Sequence, residues 1–169
     1  MKKIFLALGV FVVLGIVFLV ISGRQMQTIK TEIDISAPPE KVWAILTDID
    51  KWHEWSPTIN ASEGKAALDS TLTITMMSKE PGKDGPKYSP KIIQIDEPNY
   101  FHWRAHMMAG FIFTNDKIIE LEKTNTGTKV THTETFKGIM SVLMKGQMDK
   151  GVPPMLNMMN DALKQIAEQ

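Results

Sequence analysis

The sequence predicts an α+β domain, seven antiparallel strands followed by a long C-terminal helix, with an apolar helix in front. Three observations predict it. Apolar and polar residues alternate in short runs between about residue 28 and residue 137, the period of strands with one buried face. Met155, Met158, Met159, Ala162, Leu163 and Ile166 then recur at helical spacing, with Asn157, Asn160, Asp161, Lys164 and Gln165 between them. Ile4 to Ile21 carries no charge at all.

Taken in order, the apolar run comes first. As a helix at 1.5 Å per residue it spans roughly 27 Å, close to the hydrocarbon thickness of a bilayer, so the sequence predicts a membrane partner through residues 4–21. Lys2, Lys3, the apolar run and Ser22-Gly23 also describe a secretory signal. The length of the run and the lack of an Ala-x-Ala site favour an uncleaved, single-pass anchor. The basic start favours a cytoplasmic N terminus and an extracytoplasmic domain. Gln25 to Thr28 reads as a polar link, which divides the chain into an anchor with its link, residues 1–27, and a folded domain, residues 28–169.

Ile33 and Ile35 alternate with polar neighbours and end the first strand. Pro38 and Pro39 suit the first turn of a helix and no later one, and Pro57 closes a second short helix. Trp43, Trp52 and Trp55 anchor these two helices. Further strands are expected near 59–63, 71–78, 88–96, 100–106, 111–122 and 127–137. Lys79 to Lys87, with Pro81, Gly82, Gly85 and Pro86, reads as a hairpin loop. A helix beginning near Gly138 is expected in two pieces, broken or kinked by Gly146, Gly151, Pro153 and Pro154.

Composition bounds what this domain can do. With 169 residues, 43% of them hydrophobic, there is material for one domain with a core and an appendage. The absence of cysteine rules out disulfides and thiol nucleophiles. Removing Lys2, Lys3 and Arg24 from 19 basic residues leaves 16 against 19 acidic ones, so the remainder is slightly acidic and a poor fit to nucleic acid. His102 and His106, four apart on a strand, stand roughly 13 Å from each other, too far to share a metal ion. No cofactor is implied.

The turn Thr124-Asn125-Thr126-Gly127 sets the register of the last hairpin. If Lys123 faces Thr128, then Leu121 faces Val130, Ile119 faces His132, Lys117 faces Glu134 and Asn115 faces Phe136. Phe101, Trp103, Phe113, Ile119, Leu121, Val130 and Phe136 share the inner face with Asn115, Lys117, His132 and Glu134. Thr131, Thr133, Thr135, His102, Arg104 and His106 lie on the outer, solvent face. Charges in an apolar interior must be paired, so Lys117 and Glu134 are expected in contact. Two readings stand: a pair that orders the sheet, or the polar anchor of an apolar pocket. His132, with Glu134 beside it, is also a candidate general base. Of the 12 methionines, Met144, Met148, Met155, Met158 and Met159 include residues that face the sheet, where a flexible thioether adapts to varied apolar shapes.

The run from Ile33 to Trp43, the run from Leu46 to Pro57, Glu63-Gly64, Tyr88-Ser89-Pro90, Phe101 to Arg104 and Gly127 to Gly138 occur in an order that resembles the START-related polyketide cyclase/dehydrase and lipid-transport superfamily. Asp69-Ser70 departs from it, where such members carry glycine before the strand. The resemblance implies a helix-grip fold, a curved antiparallel sheet wrapped around the C-terminal helix with an apolar ligand between them. Together with the apolar run at residues 4–21 it implies membrane-tethered binding or transport of a small hydrophobic or lipid-like molecule, and the register and helix spacing above put Phe101, Trp103, Phe113, Asn115, Lys117, Ile119, His132, Glu134, Phe136, Met155 and Met159 around it. Two alternatives remain open. One is a polyketide cyclase/dehydrase-like enzyme using His132 and Glu134; the other is a protein-interaction module.

Overall fold

The computed structural model describes residues 2–78, 80, 82–107 and 109–169, and the side chains of all of these except 2–8, 10, 11 and 19. Helix α1 (Lys2–Ser22) leads into β1 (Gln27–Ile35), followed by α2 (Pro39–Thr47), a single 3-10 turn (Ile49–Lys51) and α3 (Trp52–Trp55). Strands β2 (Ile59–Glu63), β3 (Thr73–Met77), β4 (Asp84–Tyr88), β5 (Lys91–Asp96), β6 (Tyr100–Met107), β7 (Phe113–Lys123) and β8 (Thr128–Lys137) come next. Helices α4 (Ile139–Leu143) and α5 (Lys145–Ala167) close the chain. The strands form a five-stranded antiparallel sheet, in the order β1-β8-β7-β6-β5, and a three-stranded one, β2-β3-β4. A bridge between Thr71 and Lys91 links them. Helix α5 packs on the first sheet, most extensively against β1. This is a helix-grip arrangement.

Several expectations change. The seven-stranded sheet is eight strands in two sheets, because residues 84–87, read as loop, join Tyr88 in a strand that pairs with β3 at an edge, apart from β5. An edge tolerates Pro86, and at Gly85 a Cβ would collide with the backbone of Met76 and Met77, so the residues that suggest a loop are here what a crowded edge requires. Lys79 and Pro81 of that expected loop lie outside the described residues. The polar link is shorter than expected, since Gln27 already pairs with Phe136. At the departure from the superfamily pattern, Asp69 takes φ 65°, a left-handed conformation that aspartate can occupy, and its carboxylate pairs with Lys91 at 2.7 Å.

The membrane expectation is overturned. Among the described residues no helix is long and apolar enough to cross a membrane. Part of the run from Ile4 to Ile21 lies outside the described side chains. The single-pass anchor falls, and with it the extracytoplasmic placement of the domain.

The C-terminal helix does come in two pieces, yet the break falls at Met144, with Pro153 and Pro154 both inside α5. Asp149 and Lys150, whose carbonyls would otherwise accept from those two positions, are exposed and can bond to water instead. The buried stripe of α5 is Met148, Leu156, Met159, Asn160, Leu163 and Ala167. It is rotated from the expected one: Met158 is 48% exposed, and polar Asn160 faces inward. Before α4, Gly138 adopts φ 103°, and a Cβ there would run into the Ile112 carbonyl, so the corner between β8 and α4 requires glycine.

Candidate functional site

Strand β7 pairs with β8 in the expected register: Lys123 with Thr128, Leu121 with Val130, Ile119 with His132, Lys117 with Glu134 and Asn115 with Phe136. Strand β6 continues these rows, with Phe101 beside Ile119, Trp103 beside Lys117 and Ala105 beside Asn115. Period-two geometry therefore carries one row of mixed polar and aromatic side chains across three strands onto the face that grips α5.

Lys117 and Glu134 meet in the middle of this face, with Lys117 Nζ 2.9 Å from Glu134 Oε1 and both side chains almost fully buried. Asn115 Nδ2 donates to the other carboxylate oxygen at 3.3 Å. The Lys117 ammonium also lies 5.3 Å from the ring centroid of Trp103, a cation–π contact in a dry setting. His132 Nδ1 lies 3.2 Å from Asn160 Oδ1, and Asn160 Nδ2 donates to Thr31 Oγ1 at 3.0 Å. Because the Asn160 oxygen is the acceptor, Nδ1 carries the proton and Nε2 is left with a lone pair. Burial, and then the Lys117 charge, hold the His132 pKa well below its usual 6.5, against the opposing bond from Asn160; the imidazole is neutral. Tyr88 is pushed up by burial and then by the charge of Glu134, so its hydroxyl keeps its proton.

Two buried polar atoms here have no partner, the indole nitrogen of Trp103 and Nε2 of His132. The space beside Trp103 is small. A void of about 10 Å³ lies among Thr58, Met76, Tyr88, Trp103, Lys117 and Met159, with Met155 also on its wall. That is room for one water at most. The open apolar pocket implied by the family resemblance is, in this conformation, filled by the side chains expected to line it. A larger hollow, about 730 Å³, lies elsewhere, around Glu40, Trp43, Thr47, Asp48, Leu68 and Glu97. It is wide open to solvent and holds none of the expected site residues, so the buried polar row is the better candidate despite its smaller space.

Of the expected residues, Trp103, Lys117, Met155 and Met159 line the void directly, while Asn115, His132 and Glu134 form the hydrogen-bonded group behind it. Phe101 and Ile119 belong to the large core cluster. Phe113 and Phe136 pack instead into a second cluster nearer α4. Asn160, Thr31 and Tyr88 were not among the expected site residues. Asn160 had a signal: it sits four residues after Leu156 and three before Leu163, the spacing of a buried helical stripe, but its polarity assigned it outward. On the outer face, Asp116 is buried beneath His102 and Arg104, which bond its carboxylate at 3.0 and 2.7 Å. Burial alone would raise its pKa; these two bonds bring it below the usual value.

A sheet wrapped on a C-terminal helix defines the helix-grip class of domain. Within that class, the sequence matches the family described as polyketide cyclase / dehydrase and lipid transport over residues 26–168, and the chain belongs to it. Solved structures with the same fold include the di-domain ARO/CYC protein StfQ of the steffimycin biosynthetic pathway, with TM-score 0.70, 9% identity, and coverage of 85% of this chain and 51% of that one. This chain thus spans about half the length of that di-domain protein. The Zhui aromatase/cyclase from Streptomyces sp. R1128 matches with TM-score 0.68 and 13% identity over 85% of this chain and 94% of that one. A norcoclaurine synthase point mutant from Thalictrum flavum matches with TM-score 0.65 and 13% identity over 85% and 94%. No curated protein matches the sequence.

Proposed function

We propose that this domain, residues 28–169, binds a small hydrophobic or amphiphilic molecule between the sheet and α5, with the buried polar row as the anchor for its polar end. The observation that carries this reading is the Lys117–Glu134 pair at 2.9 Å, set among Asn115, His132 and Tyr88 inside an otherwise apolar interior. Replacing such a pair with apolar residues is often neutral or favourable for folding, so stability alone is a weak account of it. The walls can yield. Met76, Met155 and Met159 border the void, and methionine re-packs more readily than branched or aromatic side chains. The family membership and the aromatase/cyclase neighbours support ligand binding or cyclisation chemistry in this space.

For an enzymatic role, His132 is the better proton acceptor, since its Nε2 is free while both oxygens of Glu134 are engaged. The near-closed interior is the observation that favours a protein-interaction module instead. Native mass spectrometry of the full chain, followed by organic extraction, separates these readings. A retained amphiphile near one per chain, lost in Trp103→Glu, supports the binding site. A chain that carries none and takes up none when lipids and aromatic alcohols are added back overturns it.

A further inference from the structure

If a small molecule occupies this space, as proposed above, its chemical class follows from what the walls leave unanswered. The charges are answered. Lys117 and Glu134 neutralise each other, Glu134 takes a further bond from Asn115, and among the described residues Lys117 is the only charged group lining the void. An incoming anion would meet Glu134 with the one available ammonium already engaged. An incoming cation would meet that ammonium. Either ion would lose its hydration for no free counter-charge, an unfavourable exchange in a dry site.

Hydrogen bonding, in contrast, is left open. Trp103 Nε1 is a donor and His132 Nε2 an acceptor, each on a residue 1% exposed, and neither has a partner. Native interiors rarely leave such groups unanswered. Lys117 stands between them, with its ammonium over the Trp103 ring and its charge felt at His132. We infer that the occupant is an uncharged molecule with hydrogen-bonding oxygen, an alcohol, phenol or ketone whose carbonyl or hydroxyl meets Trp103 on the wall of the void, and that carboxylates, phosphates and ammonium compounds are rejected.

The test uses the full chain and three probes on one ring skeleton: 1-naphthol, uncharged at neutral pH, 1-naphthoate, an anion, and 1-naphthylmethylammonium, a cation. Isothermal titration reads affinity, and methyl NMR of Met155 and Met159 reads location. Naphthol is expected to bind roughly tenfold or more tightly than either ion, with shifts at both methyl groups. Glu134→Gln, which strips Lys117 of its counter-charge, is expected to raise naphthoate affinity toward that of naphthol. Should this variant unfold, the ranking on the unaltered chain decides by itself. Either ion bound as tightly as naphthol, with the same methyl shifts, overturns the class and leaves the site standing. Methyl groups unmoved by all three probes overturn both.

Discussion

At the end of the interior near α2 and α3, Trp43, Trp52, Phe101 and Trp103 interlock with Leu46, Ile49, Leu72 and Leu163, and the Trp52 and Trp103 rings lie 5.2 Å apart. The end near α4 is made differently. There Met148 and Leu156 pack with Ile29 and Phe136, flanked by Phe113, Met144, Val152 and Met155. Rings and branched chains have few rotamers and hold one shape, whereas thioethers accept several. The polar row of Asn115, Lys117, Glu134, His132 and Asn160 accompanies both clusters. The comparison teaches that this fold keeps one rigid wall and one deformable wall around its buried charges. A ligand would enter at the expense of the second.

The largest effect expected from breaking this contrast is at the rigid wall. Trp52→Ala removes a fully buried ring and its Nε1 donation to the Leu46 carbonyl at 3.0 Å, and should lower unfolding stability by about 4–5 kcal/mol in a denaturant titration. Next comes the polar row. Lys117→Met leaves Glu134 buried without its counter-charge and should cost about 3–4 kcal/mol, most of it regained when Glu134→Leu is added. Met148→Ala, in the soft wall, should cost only about 2 kcal/mol, because its neighbours can close over part of the space.

The smallest effect sharpens the picture of the row itself. Folded His132 stays neutral below 6.5, while the unfolded chain takes up a proton there. Stability is therefore complete above pH 6.5 and declines as the pH falls below it. Glu32, held at about 2 by Lys30 and Lys129, adds its own loss only below 4.5. Unfolding midpoints measured between these limits should slope downward with acid, and in His132→Gln that slope should flatten.

The β7–β8 hairpin was legible in full because a four-residue turn and a strict two-residue period leave one register. Strand β4 was hidden because Gly85 and Pro86 break ladders in most settings, and the crowding that makes them suitable here comes from β3, which no local pattern reveals. Four of the five members of the polar row, Asn115, Lys117, His132 and Glu134, were legible for the same reason as the hairpin. Asn160 was not, since its inward position depends on two partners, His132 and Thr31, that lie far away in sequence. Nor could residue type report how full the interior is. Apolar side chains that line a cavity and apolar side chains that fill it read alike until their volumes are placed against one another.

Helix α5 is a single rod in outline, but Pro153 and Pro154 contribute no amide hydrogens to its backbone ladder. Two successive rungs are absent where the turn bearing Met148 joins those bearing Met159 and Leu163. Side-chain packing must therefore supply a larger share of the coupling between the two segments at this point. Amide exchange along the helix should accordingly divide in two, with the turns before Val152 opening as one unit and those after Met155 protected together with the sheet.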